Sequence, residues 1–138
     1  MRRDKAQATV ELALVTLVLA VLVVGLVSAS EIVQAQLGLR TVAEEAALAA
    51  ALAPSVDVVQ QRGQERGLSV GSGYALRNGS LGVAIQYAQF APGEQVRAIA
   101  SYRLTNQEIP LLFAGPVDLS ISAIEVVPSF RGLPAAGG

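Results

Sequence analysis

Few residues of this 138-residue chain could carry chemistry. It has no Cys and no His, which removes disulfides, the usual zinc sites, and Cys–His or Ser–His nucleophile pairs. Carboxylates are left as the candidate acid–base groups. Glu44 and Glu45 are adjacent, so on a helix they project about 100° apart and cannot face each other across a substrate. No Gly-rich loop lies between a strand and a helix in a phosphate-cradling arrangement. Asn78-Gly79-Ser80 spells a glycosylation acceptor, but a tight turn accounts for it equally well. No enzyme, cofactor or metal is expected. One carboxylate is unusually placed: Glu11 opens a long apolar run. A carboxylate there favours the N-terminal helix dipole and lies shallow enough to reach water.

The elements that hold these groups are set by how charge is distributed. Apolar residues make up 52% of the chain and charged residues 15%, against about a quarter in an ordinary soluble domain. Such a composition excludes disorder, and the length allows about one domain. The net charge of −1, with no basic run beyond Arg2-Arg3, gives no support for nucleic-acid binding. From Leu12 to Ser30, 19 residues carry no charge, close to the roughly 20 a helix needs to cross a bilayer. Arg2, Arg3 and Lys5 on the preceding flank favour a cytoplasmic N-terminus and an exported remainder. Within the run, Gly25 and Ala29 form a small-xxx-small pair that either packs two such helices or is simple apolar filler. One reading makes the run a signal peptide cut after Ser30, with Ser28 and Ser30 at the −3 and −1 positions. Against it, the run exceeds the usual 7–15 apolar residues and starts at Glu11. The other reading keeps the run as a stem.

The residues after Ser30 favour the stem, because the helical signal continues through them. Residues 31–53 contain no Pro and are rich in Ala, Leu, Glu and Gln, all strong helix formers. Val33, Leu37, Ala43 or Ala47, and Leu48 fall near helical spacing as an apolar side. Gln34, Gln36, Arg40, Glu44 and Glu45 supply a polar one, with Arg40 and Glu44 placed to pair across a turn. Pro54 ends the helix, predicted over Gln7–Ala53, and Ser55 is placed to cap a short helix over 56–67. Beyond it the pattern becomes β. Strands are predicted over 68–76, 81–87, 96–104 and 119–126, with turns at Asn78-Gly79 and Pro92-Gly93-Glu94. Their alternation describes a sheet covered on one side, and the second half of the long helix is the available cover. Ile109–Phe113 is an apolar run in a loop position, either a plug under the sheet edge or a partner contact. The expected fold is α+β: a long N-terminal helix on a small antiparallel sheet of about four strands. Its segments are 1–6, a 7–30 membrane helix, a 31–53 amphipathic continuation, a 54–130 head and a 131–138 tail.

The stretch Lys5-Ala6-Gln7-Ala8-Thr9-Val10-Glu11-Leu12-Ala13-Leu14 resembles the start of TadE-like proteins, pilin-like minor subunits of tight-adherence (Tad) pili. Those carry a short basic leader, a small residue, Gln-Ala-x-Val-Glu-Phe-Ala-Leu and a long apolar helix. The resemblance implies that residues 1–6 are a prepilin-type leader cut between Ala6 and Gln7, with Glu11 fifth in the mature chain. Here Ala6 stands where most prepilins end the leader in Gly, and Leu12 where an aromatic is usual. The resemblance further implies a pilin-like fold and a place in the cytoplasmic (inner) membrane of a bacterium or archaeon. The partners it implies are a prepilin peptidase, a pilus assembly platform and other pilin-like subunits. In a filament Glu11 would enter an apolar core and need a cationic partner, which the amine exposed on a neighbour's Gln7 could supply. Two other functions remain open from the residues: a single-pass anchored binding module outside any filament, and a secreted domain released after Ser30.

Overall fold

The computed structural model describes residues 2–76, 80–105 and 115–129. Helix α1 (Arg2–Ala51) runs unbroken for 50 residues, about 75 Å at 1.5 Å per residue. A 3-10 turn at Val56–Val58 leads into α2 (Val59–Gly73). Three strands come next: β1 (Leu81–Tyr87), β2 (Gln95–Leu104) and β3 (Val117–Val126). They form an antiparallel sheet in the order β1-β2-β3, with Leu81 opposite Tyr102 and Leu104 opposite Val117. The fold is therefore α+β, as expected, with three strands among the described residues rather than four.

The missing strand is helix. Residues 68–73 complete α2, because Gly63, Gly67 and Gly71 recur every four residues and form one helical stripe, buried in the head. A Cβ on Gly63 would lie 2.6 Å from Ile85 Cδ1 and 3.1 Å from the Ala46 carbonyl oxygen. One on Gly67 would meet Val83 at 3.0 Å and Ala46 Cβ at 3.2 Å. The stripe thus lets α2 settle between α1 and β1 at a distance that side chains would forbid. The helix ends in a Schellman arrangement: Leu76 N–H donates to the Gly71 carbonyl and Ala75 N–H to that of Ser72. Ala75 takes the left-handed conformation at φ 57°, a position that favours glycine. Ser55, expected as a cap, is extended and makes no side-chain capping bond.

The second half of α1 and the whole of α2 cover one face of the sheet. On α1 the buried side is Ala35, Leu39, Val42, Ala43, Ala46, Ala47 and Ala50. Ala43 and Ala47 lie in the core as the spacing predicts, whereas Val33, Leu37 and Leu48 face outward. Where α1 lies against the glycine stripe, from Ala43 to Ala50, the buried side is alanine, while nearer the stem the larger Leu39 and Val42 are buried. The core divides along α1. Near the stem, Leu39, Val42, Leu76, Leu81, Tyr102 and Leu104 pack together; farther away, Ala46, Ala50, Val59, Ile85, Val96 and Val127 do. At the far end Gly93, at φ 87°, turns the chain from β1 to β2, and Val127 N–H closes on the Glu94 carbonyl at 2.8 Å. The predicted Asn78-Gly79 turn, the Ile109–Phe113 run and the 131–138 tail lie outside the described residues.

Candidate functional site

α1 has two unlike environments. Of its most apolar 18-residue window only 6% is buried, so this segment is not the core of the head, and it is long and apolar enough to cross a membrane. Leu12, Leu14, Leu17, Leu19 and Leu22 all project freely from it. Toward the head one side becomes covered: Val24 and Gly25 are half-buried and Ser28 is buried, its hydroxyl donating to the Val24 carbonyl at 2.9 Å. Ser28 and Ser30 lie within the uninterrupted helix, with Glu31 in the next position.

The residues singled out by sequence distribute along this rod. Ala6 and Gln7 are exposed in the first turns of α1. The Gln7 amide donates to Glu11 Oε1 at 3.4 Å, one turn away, and both side chains are open to the surroundings. Gly25 is half-covered while Ala29 is exposed, so the pair presents one free and one partly shielded position. Arg40 Nε and Glu44 Oε1 pair at 2.9 Å as their spacing predicts. Glu45 turns the other way and accepts from Arg66 of α2, at 3.0 Å from Nε and 2.8 Å from Nη2. The two adjacent carboxylates are thus engaged by different arginines. Among the described residues no group of three or more His, Cys, Asp or Glu side chains is arranged to hold a metal ion.

The structure adds a surface that the apolar pattern alone assigned to the core. Leu26, Val33, Leu37 and Leu48 on α1, and Leu52 just past its end, are all exposed, Leu37 by 61% and Val33 by 53%. Their separations of 7, 4, 11 and 4 residues are close to whole turns of a 3.6-residue helix, so they share one side of the rod. Leu12, Leu19 and Leu22 continue that side along the stem. Between Leu37 and Leu48 the row is crossed by the Arg40–Glu44 pair, whose charges compensate each other. The signal was present in the sequence as leucines recurring beyond the charge-free run. Separating it from a core face required knowing that alanines would fill the core.

Across the sheet, Arg103 and its register partner Asp118 pair on the uncovered face at 2.7 Å. The hydrogen bond from the Arg103 guanidinium holds the Asp118 carboxyl below the usual carboxylate range, and their mutual attraction adds to it. The rest of that face mixes small and polar side chains, among them Gly82, Gln86, Ser101, Ser120 and Ser122, with the apolar Ile99, Ile124 and Val126, the last two exposed. Among the described residues this arrangement presents an exposed apolar side of α1 and a mixed sheet face that carries the Arg103–Asp118 pair. The chain matches no protein-family model, no curated protein and no solved structure.

Proposed function

We propose that this chain is a membrane-inserted, pilin-like minor subunit that acts in the assembly, initiation or tip of a Tad-type surface pilus. The observation that carries the reading is the row of exposed apolar side chains on α1 beyond Ser30. Leu37 and Leu48 lie outside the length of helix that a bilayer would cover, on the side of α1 turned away from the head, and Leu52 follows just past the helix end. An exposed apolar row of this kind marks a packing surface. A plain membrane anchor has no use for it, whereas a subunit whose stem packs along neighbouring stems does. The motif around Glu11, with the helix-then-sheet layout, supports the same reading through its resemblance to TadE-like proteins.

In this mechanism the bilayer stores the subunits. Extraction exchanges lipid contact for helix–helix packing, at little net hydrophobic penalty where the packing is dense. Glu11 then leaves the headgroup region for an apolar environment and is compensated by the amine that cleavage exposes on a neighbouring Gln7. That pairing sets the axial register between stems. The prepilin peptidase, the assembly platform and other pilin-like subunits are the partners of this cycle. Glu11→Ala is expected to abolish entry into purified pili while membrane insertion persists, and normal incorporation of the mutant refutes the role of Glu11. Intact mass gives an independent check: a chain starting at Gln7 supports the reading. Retention of Met1 points instead to an anchored binding module, and a start at Glu31 to a secreted domain.

A further inference from the structure

The stem-side end of the head holds a cavity of about 300 Å³ lined by Glu31, Gln34, Tyr74, Leu76, Tyr102 and Leu104. Among the described residues, Glu31 Oε2 is shut off from solvent there and has no hydrogen-bond donor. A carboxylate oxygen in that state is costly unless a donor, best a cation, reaches it. Glu31 is also the first charged residue after the charge-free run. It stands 20 positions from Glu11, about 30 Å along a helix, which is the thickness of the hydrocarbon core. The two carboxylates therefore bracket the bilayer, and the cavity lies at headgroup depth on the exported side. Tyr74, 50% exposed at its rim, is a residue type concentrated at that interface.

We infer that this cavity binds the primary ammonium group of an ethanolamine phospholipid. The ammonium offers three N–H donors to a carboxylate oxygen that has none, and the two tyrosines supply the aromatic surroundings in which cations are favoured. The lipid phosphate, repelled by Glu31, stays outside in the headgroup layer. A choline headgroup has no N–H to give, and a phosphatidylglycerol headgroup has no cation, so both are poorer ligands. The bound lipid fixes the height of the head above the bilayer. The inference rests on the membrane-inserted reading proposed for the stem.

The test uses the full chain in phosphatidylglycerol vesicles containing a minor fraction of phosphatidylethanolamine or, separately, phosphatidylcholine. Retained lipid is read by native mass spectrometry after detergent extraction, and insertion by vesicle flotation. The ethanolamine lipid is expected to be retained roughly tenfold over the choline lipid, the effect of one hydrogen bond to a charged group. Glu31→Gln should reduce that ratio to near one while flotation and helicity stay unchanged. Failure of the wild-type chain to float refutes membrane insertion and this inference with it. Flotation without headgroup preference, or a preference that survives Glu31→Gln, overturns the lipid site alone. So does cross-linking that finds a basic side chain of this or another protein chain on Glu31. Free phosphoethanolamine that displaces the lipid at equal concentration would assign the site to a soluble amine instead.

Discussion

Replacing Gly63 by Ala tests how α2 is seated. In an exposed helix interior that change stabilises by about 1 kcal/mol, because Gly is the poorer helix former. At Gly63 the new methyl would lie 2.6 Å and 2.7 Å from the last two carbons of Ile85, and 3.1 Å from the Ala46 carbonyl oxygen. Carbon atoms pack comfortably at about 3.5–4 Å. The end of Ile85 can swing, but it is buried in the core and has little room. The Ala46 oxygen is α1 backbone and moves only with the helix. Overpacking of this kind typically costs about 1–3 kcal/mol, and with a backbone atom among the contacts the upper half applies. Set against the propensity gain, the net loss is about 1–2 kcal/mol. Gly73, on the same helix, has no described atom beyond its own helix and chain neighbours within 4 Å of its would-be Cβ, so Gly73→Ala keeps a gain of about 0.5 kcal/mol. Urea unfolding of the full chain in detergent micelles, followed by fluorescence of Tyr87 and Tyr102, measures both. With slopes of about 1–3 kcal/mol/M, the two variants should be separated by about 1 M in midpoint, on opposite sides of the wild type. A Gly63→Ala chain as stable as Gly73→Ala would refute the close seating of α2 on α1 and β1.

Three further outcomes are expected. Leu37→Gln and Leu48→Gln, on the exposed row, should change head stability by no more than about 0.5 kcal/mol and leave carbonate-resistant membrane association intact, yet reduce incorporation into purified pili. Ala75→Gly should stabilise the head by about 0.5–1 kcal/mol in the same urea assay, since it relieves a left-handed alanine but adds freedom to the unfolded chain. The Asp118 carboxyl is held low by Arg103, so the pair stabilises above the unfolded carboxylate pKa of about 3.9 and the contribution is lost as pH falls through the lower folded value. Below about pH 4 the wild-type urea midpoint should therefore fall more steeply than that of Asp118→Asn, and parallel curves would show that the pair contributes nothing.

Much of the architecture was legible because its signals are local. β1 begins and ends where alternation from Leu81 to Tyr87 places it, and Pro54 stops α1 within a few residues of the predicted end. At 68–73 a helix replaces the predicted strand, and Gly71 and Gly73, poor helix formers, hide it from local propensity. The spacing of Gly63, Gly67 and Gly71 by four is a helical period, and what it encodes is close approach, a tertiary property. The misplaced face of α1 has a related cause. Leucine and valine outrank alanine in hydrophobicity, but the side of α1 that the head covers runs through Ala35, Leu39, Val42, Ala43, Ala46 and Ala50, which leaves Val33 and Leu37 on the opposite side. Glu11 was conspicuous by its apolar neighbours. Glu31 was not, because the cavity that isolates its oxygen is assembled from Tyr74 and Tyr102, far along the chain.

The absence of any break in α1 between stem and head has a mechanical consequence. With neither proline nor turn at Ser30–Glu31, there is no hinge at which the head could swing free of the stem. A load applied to the head enters α1 as shear along the Ala35–Ala50 contact and leaves it as tension along the rod axis. The tilt of the stem and the attitude of the head are then one variable. Whatever holds the stem sets the direction in which the sheet points, and whatever pulls on the sheet is transmitted along α1 toward its first turns.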